Sequence, residues 1–293
     1  MKIVNIIGGL GNQMFQYAFA LTLKHIYGEE TVKIDTTHFN GYGLHNGFEI
    51  DRIFGNALAI ATRKDIAKYS YYIPNYKLSR LARRLLPKRK AEFVENLNDS
   101  YKYLPSALAA THSSYFEGYW MSHKFFEPYR EQIQEAFTFR PFDTEQNVEY
   151  ASLLGGDNSV TIHIRRGDYL NAPNFQGICD LEYYRKAIIE AKKTISSPVF
   201  FVFSNDIPWC MENLSDLFDK FQVHYVDNNK GKESYRDMHL MSLGRCNILA
   251  NSSFSWWAAY LNRREDKIVY VPHKWVNNFD DSDAFVDDWI IIR

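Results

Sequence analysis

Apolar and polar positions follow two different rhythms along this chain. In the second half, short apolar runs at 160–164, 199–204, 223–226, 247–250 and 267–271 alternate with stretches of helical spacing at 181–195, 208–217, 235–245 and 254–261. Strands that alternate with helices predict a parallel sheet covered on both faces, a Rossmann-like domain. The first half is less regular. An apolar strand at 3–7 runs into Gly8, Gly9 and Gly11, then a helix from Gln13 to about Tyr27 whose Met14, Phe15, Ala18 and Leu21 face the core. A second strand at 32–35 ends on Asp35, read as a turn residue or cap. FEGYW at 116–120 and the helical stretch after it close this half. Pro141 and the Gly155–Gly156 pair place a boundary between about 140 and 157. Two α/β domains, 1–150 and 151–293, are therefore expected.

The strand at 160–164 breaks its pattern at its carboxyl end. Val160, Ile162 and Ile164 predict an apolar face, and Thr161, His163 and Arg165 a polar one. Arg166, Gly167, Asp168 and Tyr169 then leave the strand. In open α/β sheets ligands bind in the crevice beyond the carboxyl ends of the strands. Two guanidiniums there point to an anion, because each keeps its charge and grips phosphate through a planar fork of donors. Neighbours on a strand point to opposite faces, so one arginine is expected to touch ligand while the other holds Asp168 or a buried carboxylate. Other polar groups end strands in the same way: Asn205 and Asp206 after 199–204, Asp227 to Asn229 after 223–226, and Asn251, Ser252, Ser253 and Ser255 where a helix opens. Each reads as a ligand contact or as a helix cap or turn. Of the tryptophan pair, one is expected in the core and one in a cleft.

The glycine turn after the first strand aims backbone N–H groups and a positive helix end at an anion or a sugar. It is neither a Walker loop nor GxGxxG, which disfavours a nicotinamide-dependent oxidoreductase. Residues 39–54, rich in Asn, Gly and aromatics, suit a loop lining an acceptor cleft or a surface loop with apolar anchors.

Composition narrows the class. Hydrophobic residues at 46% and charged ones at 24% describe an ordinary globular protein. A net charge of −1 argues against a nucleic-acid partner. Three cysteines without a CxxC pair suit a reduced compartment. The apolar run at the N-terminus is too short for a signal peptide, and no window approaches the ~20 apolar residues of a span, so a cytoplasmic protein is expected. No DxD follows a strand and no HExxH occurs, so no required metal is expected. Asp280, Asp281 and Asp283 read as part of a solvated acidic tail. One segment stands apart: KLSRLARRLLPKRK at 77–90 carries Lys77, Arg80, Arg83, Arg84, Lys88, Arg89 and Lys90 around leucines at helical spacing. It reads as a solvated helix face or as a peripheral contact with an anionic inner-membrane surface.

The order of four blocks identifies a family. HIRRGDY at 163–169 resembles the HxRRGDY signature of the α-1,2-fucosyltransferases, inverting enzymes that move L-fucose from GDP-fucose to a sugar hydroxyl. GGLGNQMFQYA at 8–18, FSNDIPW at 203–209 and NSSFSWWAAYLN at 251–262 occur in that family's order. The resemblance implies two facing Rossmann-like domains of the GT-B kind with the donor cleft between them, an N-terminal acceptor side and a C-terminal GDP-fucose domain. It implies a bacterial-type galactoside α-1,2-fucosyltransferase acting in O-antigen or oligosaccharide synthesis on a galactose-terminated or lipid-linked glycan, with GDP-fucose as donor and no cofactor. Asn12 and Gln13 would face the fucosyl diphosphate, Ser252 and Ser253 would bind it, and Asp206 with Asn205 would read the guanine edge. Arg165 would answer the phosphate, with Arg166 beside it, and His163 would meet the phosphate or the guanine–ribose end. Asp168, the nearest carboxylate, is the candidate base, or else part of a turn locked to Arg166. A fucosyl transferase of another linkage and a non-catalytic nucleotide-sugar or glycan-binding protein are the alternatives.

Overall fold

A computed structural model of the chain describes residues 1–28, 31–55, 57–112 and 114–293. Two units emerge, Met1–Phe139 with Ser282–Ala284, and Arg140–Asp281 with Phe285–Arg293. Residues 140–150, expected in the first domain, group with the second. A three-residue piece near the C-terminus returns to the first, where Asp283 accepts from the Tyr103 N–H and pairs with Lys124. Asp281 accepts from the backbone of Trp275 and Val276. These two carboxylates organise loops; they are not a solvated tail as expected.

The first unit is built on β1 (Lys2–Asn5), β2 (Val32–Asp35), β3 (Ala59–Ile60), β4 (Glu92–Val94) and β5 (Tyr115–Glu117), ordered β3-β2-β1-β5-β4 with parallel pairing throughout. The helix behind β1 spans Leu10–Tyr27, three residues longer at its start than expected, and is buried from Leu10 to Leu23 except at Asn12. Phe19 stacks on Trp120 at 4.3 Å, with Phe116 and Phe125 edge-on around them. Large rings supply much of the apolar burial that stabilises such a core.

The second unit holds β6 (Ser159–Ile164), β7 (Val199–Ser204), β8 (Val223–Val226), β9 (Cys246–Ile248), β10 (Ile268–Pro272) and β11 (Ile290–Ile292), again all parallel. Their order is β11-β10-β9-β6-β7-β8. This is a doubly wound sheet whose order reverses between β6 and β9. All six residues of β6 are buried, its polar face as well as its apolar one. A central parallel strand is covered on both faces. Its polar side chains must then be satisfied internally, and the Thr161 hydroxyl is, accepting from the Asn247 amide at 2.7 Å.

Candidate functional site

β6 and β9 flank the reversal, the place where open α/β sheets bind ligands beyond their carboxyl ends, and the HIRRGDY segment runs out of β6 there. Asn205, at the end of β7, accepts from the Arg166 backbone N–H at 3.0 Å. A Cβ on Gly167 would stand 2.3 Å from the Asn205 amide nitrogen, so any larger residue there would push the Asn205 side chain aside. Tyr169 closes the other side: its hydroxyl donates to the Asn251 carbonyl beyond β9, and its ring stacks on Phe175 at 4.8 Å.

Both arginines are half-buried and both hold carboxylates, where one free guanidinium was expected. Arg165 makes a two-pronged pair with Asp168, at 2.9 and 3.0 Å. Asp168 is thus locked to Arg165, not to Arg166. Arg166 pairs with Asp206 at 3.2 Å and lies 3.8 Å above the Trp209 ring. Water reaches Asp168 and Asp206, and ion pairs that water reaches contribute only about 0–1 kcal/mol each. A diphosphate can exchange with them at small cost.

His163 is 6% exposed, tilted against Phe254, and its Nδ1 is buried without a hydrogen-bond partner. Burial, reinforced by the nearby Arg165 charge, lowers its pKa to about 3. With no ligand beside it the imidazole is therefore neutral near pH 7.

Asp206 is the N-cap of the helix Ile207–Phe218, accepting from the Trp209 N–H, and Pro208 sits in the first turn. Capping and the Arg166 pair occupy both of its oxygens, and Asn205 is a clamp on the motif backbone. Ser252 caps the helix Ser253–Leu261, and its hydroxyl accepts from the Phe254 N–H. Ser253 is half-buried at the first position of that helix. Trp256 and Trp257 are both in the core, against the expectation that one would line a cleft. Two tryptophans side by side fit there because the helix is buried all round.

In the first unit, Gly8 adopts φ +100 and a Cβ there would press on Asn12 at 3.0–3.1 Å. The helix cap is Gly9, not Asn12. Gln13 corrects the expectation of a diphosphate ligand. It is fully buried, donates to the carbonyls of Gly8 and Gly47, and accepts from the Glu49 N–H. Its amide ties the 39–54 loop to the glycine turn and offers nothing outward. Asp35 is equally internal, accepting from Thr37 and from the Tyr115 hydroxyl.

Asn229 and Asp237, read as ribose contacts or turn residues, instead meet Asn147 in a buried polar cluster at the end of β8. Asn147 and Asn229 exchange amide hydrogen bonds, and Asn229 donates to Asp237 at 2.8 Å. Burial raises the Asp237 pKa to about 7. The only signal was an Asn-rich segment after a strand, equally consistent with a turn. Among the described residues no group of three or more His, Cys, Asp or Glu is placed to hold a metal ion.

Comparison with known proteins bears on this geometry. A model of glycosyl transferase family 11 matches residues 1–293. An alpha-1,2-colitosyltransferase of Escherichia coli is 31% identical, with 95% of each chain covered. The O-antigen biosynthesis glycosyltransferase WbnK of the same organism is also 31% identical, over 97% of each chain. Galactoside alpha-(1,2)-fucosyltransferase 2 of Rattus norvegicus is 27% identical over 99% of this chain and 76% of its own length. Among solved structures, POFUT1 in complex with GDP is similar in fold, with a TM-score of 0.55 at 13% identity, covering 93% of this chain and 98% of that one.

Proposed function

The chain belongs to glycosyl transferase family 11 and is a sugar-transferring enzyme, and from that premise we propose that it transfers L-fucose from GDP-β-L-fucose to O2 of a terminal galactose, with inversion. The observation that carries this reading is the pair of guanidiniums at the carboxyl end of β6, at the reversal of strand order and across from the Ser252 helix start. In this reading the pyrophosphate displaces Asp168 from Arg165 and draws Arg166 from Asp206. The guanidiniums then meet the negative charge that grows on the β-phosphate as the C1–O bond breaks. Ser252 and Ser253, at a helix N-terminus, take the remaining phosphate oxygens. Asp168, released by the exchange, accepts the proton of the attacking hydroxyl. His163 stays neutral, and its unpaired Nδ1 is available to one hydrogen bond from the donor nucleotide. Asp206, through the oxygen that Arg166 gives up, reads the N1–H and N2–H₂ edge of guanine, while Asn205 keeps its hold on the Arg166 N–H. No metal is assigned, because the arginines perform the neutralisation.

A second reading is favoured by one relative, the alpha-1,2-colitosyltransferase. Colitose is fucose without its 3-hydroxyl, so the same cleft chemistry serves either sugar. Incubation with GDP-fucose and with GDP-colitose, each with lactose and with N-acetyllactosamine, separates the two. An α-1,2-linked fucosyl product, formed equally well in the presence of a chelator, is expected. Transfer from GDP-colitose alone assigns the second reading. Thermal stabilisation by GDP without transfer from either donor to any galactoside defeats both.

A further inference from the structure

The 77–90 segment contains a helix whose two faces are reversed. Helix Tyr76–Leu85 begins at Asn75, whose side chain accepts from the Leu78 N–H. Tyr76, Ser79 and Arg83, spaced i, i+3, i+7, face the first unit. Tyr76 packs edge-on to Tyr42 at 4.8 Å, and Ser79 is buried. Arg83 reaches past the sheet edge to Glu92 at 2.9 Å and Glu117 at 2.6 Å. At about 100° per residue, Leu78, Leu81 and Leu85 fall within about 60° of one another, half a turn away from that inward set. They point outward, exposed to 59%, 53% and 75%. A surface helix ordinarily buries its apolar stripe and solvates its charges. Here the polar stripe is buried and the leucines are outside. An ordinary surface helix would have turned these leucines inward.

Charge says what covers the stripe. Lys77, Arg80 and Arg84 flank the leucines on one side, Lys88 and Lys90 follow, and all five are exposed. None of the five is in an ion pair with a carboxylate among the described residues, and the segment contains no acidic residue, although the whole chain carries only −1. A second copy docking on the same face would bring like charges together. Interspersed cations and leucines on one helix match the boundary of an anionic bilayer, where apolar side chains enter the acyl region and cations meet lipid phosphates. Among the described residues no helix is long and apolar enough to cross a membrane, so such a contact is peripheral.

We propose that helix Tyr76–Leu85 lies in the headgroup plane of an anionic membrane, with Leu78, Leu81 and Leu85 inserted and Lys77, Arg80, Arg84 and Lys88 on phosphates. Co-sedimentation of the full chain with vesicles of phosphatidylcholine and phosphatidylglycerol, against phosphatidylcholine alone, tests it. Binding to the mixed vesicles only, weakening as salt is raised, is expected. Replacing Lys77, Arg80 and Arg84 together by Gln should weaken partition about a hundred-fold, from about 1 kcal/mol per cation. Leu78→Ser, Leu81→Ser and Leu85→Ser together should abolish it at unchanged charge. All six positions are exposed, and an unchanged melting temperature certifies each variant; if the leucine variant does not fold, the glutamine variant decides alone. Equal binding to both vesicle types, or full binding by either variant, overturns the proposal. So does absence of vesicle binding with self-association that disappears in the leucine variant, which would assign the face to a second copy. None of these readouts depends on which sugar the enzyme transfers.

Discussion

Arg165 and Arg166 each rest on a carboxylate that water also reaches, so the chemistry of the crevice depends on how cheaply those pairs exchange. A guanidinium held in a planar fork by Asp168 already has the geometry that a phosphate needs. Arg165→Ala should lower kcat about 10²- to 10³-fold, as loss of one preorganised charge does elsewhere. Arg165→Lys should recover little of this, because a point charge does not replace the fork. Steady-state kinetics with GDP-fucose measures both. Asp168→Asn distinguishes a base from a holder of Arg165. As base, its loss should lower kcat about 10²-fold and flatten the acidic limb of the kcat–pH profile, whereas a mere holder leaves that limb in place. His163, two residues earlier on the same strand, was expected from its position but not in its state. Its burial, and hence its neutrality, follows from the central place of β6 in the sheet.

Elements hold these residues through backbone clamps. Gln13→Ala would orphan the Glu49 N–H and two carbonyls in a buried turn. Unsatisfied buried groups cost about 1–3 kcal/mol each, so a loss of about 3 kcal/mol in denaturant unfolding is expected after partial relief by water. Asp206→Ala removes a helix cap worth about 1 kcal/mol. It also leaves Arg166 with Trp209 alone, so stability should fall by about that amount while GDP affinity changes separately. A loss of affinity with an unchanged unfolding midpoint would show that Asp206 does not cap in solution. The strand–helix rhythm of the second unit was legible because each strand is a continuous apolar run bounded by polar ends. β3, β4 and β11 escaped, being two or three residues long, too short for periodicity to register. The helix at Leu10 began early because two of its first residues, Gly11 and Asn12, look like a turn by propensity, while packing overrides propensity there.

At the scale of the molecule, buried acids make stability depend on pH. Asp237, with its pKa raised to about 7 by burial, keeps in the native state a proton that the unfolded chain has already released. Stability from this group is therefore largest at low pH and declines as pH rises from about 4 through about 7. Glu95, pushed by burial to about 7 although the Tyr119 and Trp120 N–H groups oppose the shift, acts in the same direction. Asp237→Asn retains an acceptor for Asn229 and cannot ionise. Its melting temperature should exceed the parent's at about pH 8 and match it near pH 4, and a constant difference across that range would refute the assignment.

What the chain alone determined is local. Apolar runs of strand length, a glycine where the backbone must turn sharply, and polar groups gathered after strands are written in neighbouring residues, and the ordered blocks that mark the family lie on those same strand ends. Tertiary structure decided which groups meet. Strand order put the ends of β6, β7 and β9 together, matched Arg165 to Asp168 and Arg166 to Asp206, turned Gln13 inward and sent three leucines out. Tertiary contacts in this fold join residues as far as 180 positions apart, and they depend on sheet topology and on the need to satisfy every buried polar group, neither of which a local pattern encodes.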